Sequence, residues 1–479
     1  MHYLDLSIVE IHQALLENKV TPLELVLESI KRAKNNKDNC FEYICEKEAV
    51  AAIKELENKD KNNILWGIPY TLKDNISTKD IPTSASSKLL DGYVPVFSSE
   101  VYERLQKAGA ILIGKTTLDE LGIGSSGTLG RKGKTYNPWD KTHTHMIGGS
   151  SSGSAASVCS RIVPFSLGSD TGNSVRLPAS FSGLVGLKPS WGRISRYGLF
   201  PLEVSMDHIG IFARNVKDSA IVLSTLAGHD EKDMTSSLKE TKQYENALNL
   251  SPRDKRIAVI KEFYDSFINQ NVKEAFDKTL NKMKEKGAKV DFVSIDRNLC
   301  LSLQISYSIL SAVGAMSNNA NLDGVRFGPS YDEDNYEENV VKARSEFQYA
   351  IKRRFAFGAY VISHREMYEN AKRVRHLVVK EMKRILNQYD AIYLPTTNGG
   401  APLFSEKANM LDDSYLLTDK HLLLANFAGL PSINIPLGFD NGLPFGATIT
   451  AGLFKEELVL SLAASIEEIT GLKDLVIKE

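Results

Sequence analysis

Two glycine- and serine-rich loops near the middle of the chain carry the residues best suited to chemistry. Residues 148–154 are Gly-Gly-Ser-Ser-Ser-Gly-Ser, and residues 168–176 are Gly-Ser-Asp-Thr-Gly-Asn-Ser-Val-Arg. A flexible linker of this composition would be bounded by polar sequence, but these loops alternate with the apolar runs 163–167 and 184–187. Glycines set against core strands indicate a close approach of the backbone or unusual φ values. The loops are therefore predicted to form a site built from main-chain N–H groups, the donors that stabilise an oxyanion.

A third glycine motif, Gly109 to Thr116, matches G-x-x-x-x-G-K-[ST], the pattern of a phosphate-binding loop. Such a loop is flexible, follows a strand and turns its N–H groups towards the anion. Residues 110–113 are instead Ala-Ile-Leu-Ile, which are apolar and mostly prone to form β-structure. We expect this segment to be a buried strand and not a nucleotide site.

The charge balance and the cysteine count exclude several classes of protein. The chain has 479 residues, with 58 Lys and Arg against 59 Asp and Glu, for a formal net charge of −1. This balance argues against a main task of binding nucleic acid or an anionic membrane, because either would favour a basic excess. The four cysteines have no CxxC spacing, so neither a disulfide framework nor a thiolate zinc site is indicated. His143 and His145 have a possible ligand spacing but no third ligand motif, and we expect no metal site.

The sequence contains no pattern typical of a signal peptide or of a membrane-spanning helix. It begins Met-His-Tyr-Leu-Asp, which lacks the basic start of a signal peptide. The longest apolar stretch, residues 422–437, contains two prolines, two asparagines and a glycine, so it cannot span a bilayer as a regular helix. We expect a cytoplasmic protein with no membrane partner.

The elements around the loops predict an α/β fold. Two capping boxes, Ser7-x-x-Glu10 and Thr21-Pro-x-Glu24, mark the starts of two N-terminal helices. After residue 60, helical segments at 98–107 and 272–286 alternate with short β-rich runs. These runs are 64–72, 111–114, 163–169, 257–260, 391–395 and 433–437. The alternation indicates a large, mostly parallel or mixed sheet. Strand signals lie on both sides of the polar segment 228–255, which we interpret as a surface excursion within one domain.

Three motifs, in this order, resemble the signature of the amidase family. The segment Gly67 to Asn75 is similar to the family's lysine motif and places Lys73 77 residues before Ser150, which in turn stands 24 residues before Ser174. Segments 114–120, 137–139, 192–198, 323–328 and 426–431 resemble one branch of the family, the A subunits of the glutamyl-tRNA(Gln) amidotransferases. The resemblance covers essentially the whole chain.

The resemblance implies the amidase-signature fold, in which helices cover both faces of a large mixed central sheet. It implies one domain over residues 1–479. Within that domain we expect N-terminal helices over about 1–60, the signature core over about 61–220 and the C-terminal part over 221–479.

The same resemblance implies a Ser-Ser-Lys triad that hydrolyses an amide. Ser174 would be the nucleophile that forms the acyl-enzyme, Ser150, with a cis peptide bond, would relay the proton, and Lys73 would be the base. A free lysine has a pKa of about 10.4 and is protonated at pH 7, so burial must lower the pKa of Lys73. Taken alone, Lys73 is better explained as a lysine at a strand end that pairs with a nearby carboxylate such as Asp74, and only the companion motifs favour the catalytic role.

The backbone of Thr171, Gly172, Asn173 and Ser174 would supply the oxyanion hole. The family usually has glycine where this chain has Asn173 and Ser152. Because asparagine tolerates positive φ better than most residues, we expect the loop to keep its shape.

By resemblance, glutamine is the donor of ammonia. The second arginine of a paired-arginine segment, Arg354, would bind the glutamine carboxylate, Asp419 would bind its ammonium, and Tyr307 is a third candidate for substrate binding. The α-carboxylate of glutamine is best bound by a guanidinium, and its α-ammonium is best bound by a carboxylate of the pocket. The local pattern alone, a mixed polar and aromatic run over 348–357, would instead make Arg354 an exposed charge on a helix.

The resemblance also implies partners. The B and C subunits of the amidotransferase would complete a complex that converts misacylated Glu-tRNA(Gln), with ATP and Mg²⁺ used on the partner and no cofactor held by this chain. Two alternatives stay open: a free-standing amidase for another small amide, and a non-catalytic scaffold. An apolar amide would not use the charges of Arg354 and Asp419, and the presence of Lys73, Ser150 and Ser174 argues against a scaffold.

Overall fold

The computed structural model describes residues 2–248, 251–331, 335–406 and 419–477. Eleven strands within these ranges form one mixed sheet with the order β1-β3-β2-β4-β6-β5-β10-β11-β9-β7-β8. The strands are β1 (Phe41–Ile44), β2 (Pro69–Lys73), β3 (Ile111–Thr116), β4 (Phe165–Asp170), β5 (Val185–Lys188), β6 (His208–Ala213), β7 (Arg256–Ile260), β8 (Lys289–Val293), β9 (Ala391–Pro395), β10 (Ser432–Asp440) and β11 (Leu443–Ala451).

Helices connect most of these strands. In the same described ranges they are α1 (Ile8–Leu16), α2 (Pro22–Asn35), α3 (Glu46–Glu55), α4 (Glu100–Lys107), α5 (Ser152–Cys159), α6 (Arg176–Phe181), α7 (Val216–Leu226), α8 (Lys261–Tyr264), α9 (Gln270–Glu285), α10 (Arg297–Asn318), α11 (Tyr336–Ser345), α12 (Tyr349–Ser363), α13 (Arg365–Leu386), α14 (Leu422–Phe427) and α15 (Glu456–Thr470).

Both predicted capping boxes are present. The Glu10 carboxylate accepts from Ser7 N–H at 2.9 Å, and the Glu24 carboxylate accepts from Thr21 N–H at 2.8 Å. Each box satisfies N–H groups that would otherwise lack a partner at the start of a helix. The boxes therefore fix where α1 and α2 begin.

The centre of the sheet is buried on both faces. Every residue of β2, β3, β4, β5 and β6 is buried, whereas a sheet with one open face would alternate buried and exposed positions. The strand β2 runs parallel to β3 and β4, while β4 and β6 are antiparallel. The predicted α/β fold with a large mixed sheet covered by helices is confirmed.

The parallel pairing of β2 and β4 positions the chemistry. Leu72 lies opposite Leu167, so the carboxyl ends of the two strands meet at one edge of the sheet. That edge brings Lys73, at the end of β2, close to Ser169 and Asp170, at the end of β4.

The predicted strands all exist, and most of their bounds shift by two residues or fewer. The exceptions are the end of β10, which extends three residues beyond 437 to Asp440, and the start of the run 64–72, because β2 begins only at Pro69. Gly67 has a φ of +75° and donates its N–H to the Gly109 carbonyl at 2.9 Å, which breaks the extended chain just before the strand. The motif from Gly109 to Thr116 forms β3, as expected of a buried strand.

Strands from both sides of the polar segment 228–255 belong to the same sheet. The limits of the single predicted domain, and its division at about residues 60 and 220, stay predictions.

One described helix, α10, is long and apolar enough to cross a membrane by length and composition. Its most apolar window is 56% buried inside the protein, where α10 packs against α12 and α13. This packing is typical of a core helix.

Candidate active site

Lys73 lies at the centre of a buried hydrogen-bonded cluster. Its side chain is fully buried, and its Nζ lies 2.8 Å from Ser150 Oγ and 2.9 Å from Ser169 Oγ. Asn75 donates its side-chain N–H to Ser169 Oγ at 3.1 Å. The ammonium group is thus held between two hydroxyls, one of which belongs to the predicted proton relay.

Burial changes the protonation of this lysine. Desolvation lowers the pKa of Lys73 from 10.5 to about 7, although the nearby carboxylates of Asp119, Asp170 and Asp207 favour its charged form. A lysine with a pKa near 7 is neutral in a large fraction of molecules at neutral pH and can accept a proton. The required depression of the Lys73 pKa is therefore present.

The alternative pairing of Lys73 with Asp74 is wrong. The Asp74 carboxylate faces Lys115, whose Nζ lies 3.4 Å from Asp74 Oδ1, and it accepts from both the N–H and the hydroxyl of Ser84. Asp74 follows the end of β2 in a turn, and its carboxylate pairs with the lysine of β3 instead of with Lys73.

The buried Asp119 lies against the first glycine loop, and its backbone N–H donates to the Ser150 carbonyl at 3.2 Å. The Gly149–Ser150 peptide bond is cis, as expected. Asp119 accepts from the N–H groups of Gly127 and Leu129 at 3.1 and 2.9 Å. A Cβ atom on Gly149 would lie 2.2 Å from Asp119 Oδ2, so no other residue fits at that position.

The second loop connects the end of β4 to the start of α6 and carries Ser174. Asp170 forms a fully buried ion pair with Arg176 at 3.0 Å and accepts from the Asn426 side chain at 3.0 Å. Burial would raise the pKa of Asp170, but the Arg176 guanidinium outweighs it and holds that pKa well below its usual range. Thr171 Oγ1 donates to Asp207 Oδ1 at 2.6 Å. The loop is thereby fixed at both ends.

The Ser174 hydroxyl has no hydrogen-bond partner among the described residues. Ser174 is 6% exposed, and within the described part of the chain its Oγ makes no hydrogen bond. The two loops contact each other directly, because Ser151 N–H donates to the Ser174 carbonyl at 3.3 Å. A hydroxyl without a hydrogen-bond partner among the described residues, on a loop bonded to the residue after Ser150, is suited to act as a nucleophile.

A cavity of about 130 Å³ lies against the second loop, and Gly122 in its wall is close to Ser150 of the first loop. Gly122 lines it on the side of the first loop, where a Cβ atom would lie 3.9 Å from Ser150 Oγ. Gly172 lines it on the side of the second loop, where a Cβ atom would lie 2.9 Å from Tyr307 Cζ. The tyrosine ring therefore packs directly on the backbone of the predicted oxyanion loop.

The three predicted substrate-binding residues all line this cavity. They are Tyr307, Arg354 and Asp419. Arg354 is half-buried and donates to Ser311 Oγ at 2.8 Å, whereas Arg353 beside it is exposed. The interpretation of Arg354 as an exposed charge is wrong, because α12 packs against α10 and turns Arg354 towards that helix.

The aromatic and acidic walls of the cavity differ in charge. Burial raises the pKa of Tyr307 to about 12, so its hydroxyl stays protonated. Asp419 forms an ion pair with Lys420, which also lines the cavity.

Comparison with known proteins decides the family. The family model described as Amidase matches residues 24–460 of this chain. The chain belongs to the amidase family.

Among curated relatives, the A subunit of the glutamyl-tRNA(Gln) amidotransferase of Pediococcus pentosaceus is 37% identical over 480 residues, and the match covers 98% of both proteins. The same subunit of Methanosarcina mazei is 37% identical, with 97% of both covered. The crystal structure of that subunit from Thermotoga maritima is 31% identical, with a TM-score of 0.80, and covers 98% of this chain and 95% of that one.

The expectation that this amidase depends on the tolerance of asparagine for positive φ is wrong. Neither Asn173 nor Ser152 has a positive φ. Ser152 is the first residue of α5, and the Asn173 carbonyl accepts from Leu177 N–H at 2.8 Å, as at the start of a helix. Both positions lead into helices and need no left-handed backbone, so side chains are accommodated there. Asn173 instead adds a side chain to the residues that line the cavity.

The two histidines with ligand spacing face different carboxylates in this amidase, and His143 lies 3.9 Å from Asp38. His145 hydrogen-bonds with the Asp140 carboxylate at 2.8 Å. No cluster of three or more His, Cys, Asp or Glu side chains suited to a metal occurs in the described ranges.

Sequence reasoning missed Asn75 and Ser169, which lie in the layer of side chains around Lys73. Both lie inside the recognised motifs. Asn75 is two residues after Lys73, and Ser169 is one residue before Asp170. Only the pairing of β2 with β4 shows that these two side chains meet.

Removal of the Ser169 hydroxyl is expected to lower kcat for amide hydrolysis about 10- to 100-fold. Loss of one partner of a buried hydrogen bond costs roughly 1–3 kcal/mol. The hydroxyl also accepts from the ammonium form of Lys73, so Ser169→Ala should move the acidic limb of the rate profile to lower pH. The measurement is kcat against pH.

Ser166→Ala is the matched control, because Ser166 lies buried on the same strand and hydrogen-bonds to Thr71 instead. Equal losses in the two variants, with no shift of the profile, would show that Ser169 only supports the fold.

Proposed function

We propose that this chain is the glutamine-hydrolysing subunit of an ATP-dependent amidotransferase that converts misacylated Glu-tRNA(Gln) to Gln-tRNA(Gln). The observation that carries the proposal is the cavity itself. The Lys73–Ser150 pair and the oxyanion loop adjoin one side, and Arg354 and Asp419 line the same small space.

This arrangement fits an α-amino acid with a side-chain amide. The guanidinium of Arg354 matches the α-carboxylate in charge and in its planar geometry. The carboxylate of Asp419 matches the α-ammonium. The amide carbon of the bound substrate then lies beside Ser174. A free-standing amidase for an apolar amide would gain nothing from this charged pair, and relatives that share nearly the whole length of the chain are amidotransferase subunits.

The first half-reaction forms the acyl-enzyme. Neutral Lys73 accepts a proton from Ser150 Oγ as Ser150 accepts one from Ser174 Oγ, and Ser174 Oγ attacks the amide carbon. The oxyanion accepts from backbone N–H groups of residues 171–174. As the C–N bond breaks, Ser150 returns a proton to the leaving nitrogen and Lys73 reprotonates Ser150. Ammonia leaves, and the γ-glutamyl ester of Ser174 remains.

The second half-reaction restores the enzyme. Water attacks the ester, and the same relay takes a proton from the water and returns one to Ser174 Oγ. Glutamate is released, and the released ammonia is used on Glu-tRNA(Gln) activated elsewhere in the complex.

We assign activation to the other members of the complex. The B subunit would use ATP and Mg²⁺, the C subunit would help to hold the assembly, and this chain would hold no cofactor. The net charge of −1 agrees with a chain that leaves most contacts with tRNA to a partner. Translation is a cytoplasmic process, which gives the expected location.

Arg354→Ala is expected to raise the KM for glutamine about 100-fold, because a charge-assisted bidentate contact to the α-carboxylate is lost. Arg353→Ala removes the same charge from the exposed face of the same helix and should leave KM unchanged. The measurement is the initial rate of glutamine hydrolysis against glutamine concentration. A similar KM in the two variants would contradict carboxylate binding by Arg354.

The proposed function is tested by reconstitution. The chain is combined with the B and C subunits, and glutamine-dependent formation of Gln-tRNA(Gln) is measured with ATP. Hydrolysis of simple amides without any glutamine-dependent amidation would instead identify a free-standing amidase.

A further inference from the structure

The acidic wall of the cavity is already neutralised by the protein. Lys420 Nζ contacts Asp419 Oδ1, and the two side chains are 14% and 21% exposed. Both residues line the cavity beside Arg354 and Tyr307. The carboxylate offered to a substrate ammonium therefore already pairs with a cation from the next residue.

The charges of the described residues that line the cavity do not balance those of a free amino acid. Among these residues, Arg354 and Lys420 carry two positive charges and Asp419 carries one negative charge. An amino acid brings one charge of each sign. With Lys420 in place, its ammonium meets a carboxylate that is already paired, together with a like charge a few ångströms away. Two ammonium groups on one carboxylate repel each other strongly in a partly buried site.

We propose that Lys420 determines specificity by competing with the substrate's α-ammonium for Asp419. Binding of glutamine requires Lys420 to leave Asp419, so the α-ammonium contributes less to affinity than the α-carboxylate. The site consequently discriminates weakly against amides that have the carboxylate of glutamine but no amine. This inference rests on the proposed glutaminase function and names which part of the substrate the site uses.

The test compares glutamine with 4-carbamoylbutanoate, which is glutamine without its α-amino group. In the unaltered protein we expect their kcat/KM values to lie within about 10-fold of each other. Lys420→Met keeps most of the length of the side chain and removes the competing charge, so it should lower the KM for glutamine about 10-fold and raise the preference for glutamine by a similar factor. Lys420→Arg keeps the charge and should resemble the parent.

Two controls distinguish competition for Asp419 from a general change in the electrostatic potential of the cavity. Lys352→Met removes one exposed positive charge that bonds to the Ser345 carbonyl, and should change neither substrate's KM. In a double-mutant cycle, Lys420→Met should have no effect on the KM for glutamine once Asp419 is replaced by Asn, because the competition acts through that carboxylate.

The outcomes are distinct. A preference for glutamine above about 1000-fold in the unaltered protein overturns the inference, even if no variant can be purified. An unchanged KM in Lys420→Met, or the same change in the Asp419→Asn background, overturns it as well. Failure of the unaltered chain to hydrolyse glutamine in the assembled complex would instead overturn the proposed function.

Discussion

Replacement of Ser174 by alanine is expected to abolish glutamine hydrolysis and to leave ammonia-driven amidation by the assembled complex intact. Only the donor half-reaction uses the acyl-enzyme, so loss of the nucleophile should lower kcat for hydrolysis on the order of 10⁶-fold. Free ammonia bypasses this chain and reaches the activated Glu-tRNA(Gln) directly. Both activities are measured on one preparation of the complex, first with glutamine and then with an ammonium salt.

Ser182→Ala is the matched control for this variant. Ser182 is a buried serine whose hydroxyl has no hydrogen-bond partner within the described chain, so its truncation removes no hydrogen bond. Both activities should survive in that variant. If Ser174→Ala also eliminated the ammonia-driven reaction in a well-folded complex, the proposed division of labour within the complex would be wrong.

The fold was predictable wherever the sequence has strong local signals. The capping boxes at Ser7 and Thr21 and the apolar runs of β3, β4, β7, β9 and β10 depend on short-range chemistry. The strand β1 has only four residues and β8 is largely exposed, so their sequences have no continuous apolar run. Their pairing depends on neighbours that are distant in sequence.

The site was predictable in part because its motifs are specific. The roles expected of Lys73, Ser150 and Ser174 come from the motifs, and the structure places Lys73 and Ser150 2.8 Å apart. Local patterns were misleading where tertiary packing decides the environment. Arg354 has the pattern of an exposed helical charge but faces α10, and the partner of Asp74 is Lys115 from a neighbouring strand. The ion pair of Asp419 with Lys420 could have been suspected from their adjacency, although only the structure places both in the cavity.

Replacement of Lys73 by methionine is expected to be nearly as damaging as loss of Ser174. Methionine fills much of the buried volume without a charge or a basic group, so the fold should persist while the proton relay has no acceptor. Members of one relay act as a unit and their effects do not add. The double variant Lys73→Met with Ser174→Ala should therefore be no slower than Ser174→Ala, and a much slower double variant would show that the two residues act independently.

The pH dependence of the unaltered enzyme gives a second measure of the same base. Because Lys73 must be neutral to accept a proton and its pKa is about 7, kcat/KM should level off about one pH unit above that pKa and should fall about tenfold per pH unit well below it. Lys73→Arg preserves a positive charge at this position but cannot lose its proton, so it should be inactive across the whole range. Thermal unfolding of each variant checks that the fold is retained. A parent profile that is flat from pH 5 to 9, or substantial activity in the arginine variant, would exclude Lys73 as the base and would leave the buried Lys73–Ser150 hydrogen bond with a structural role only.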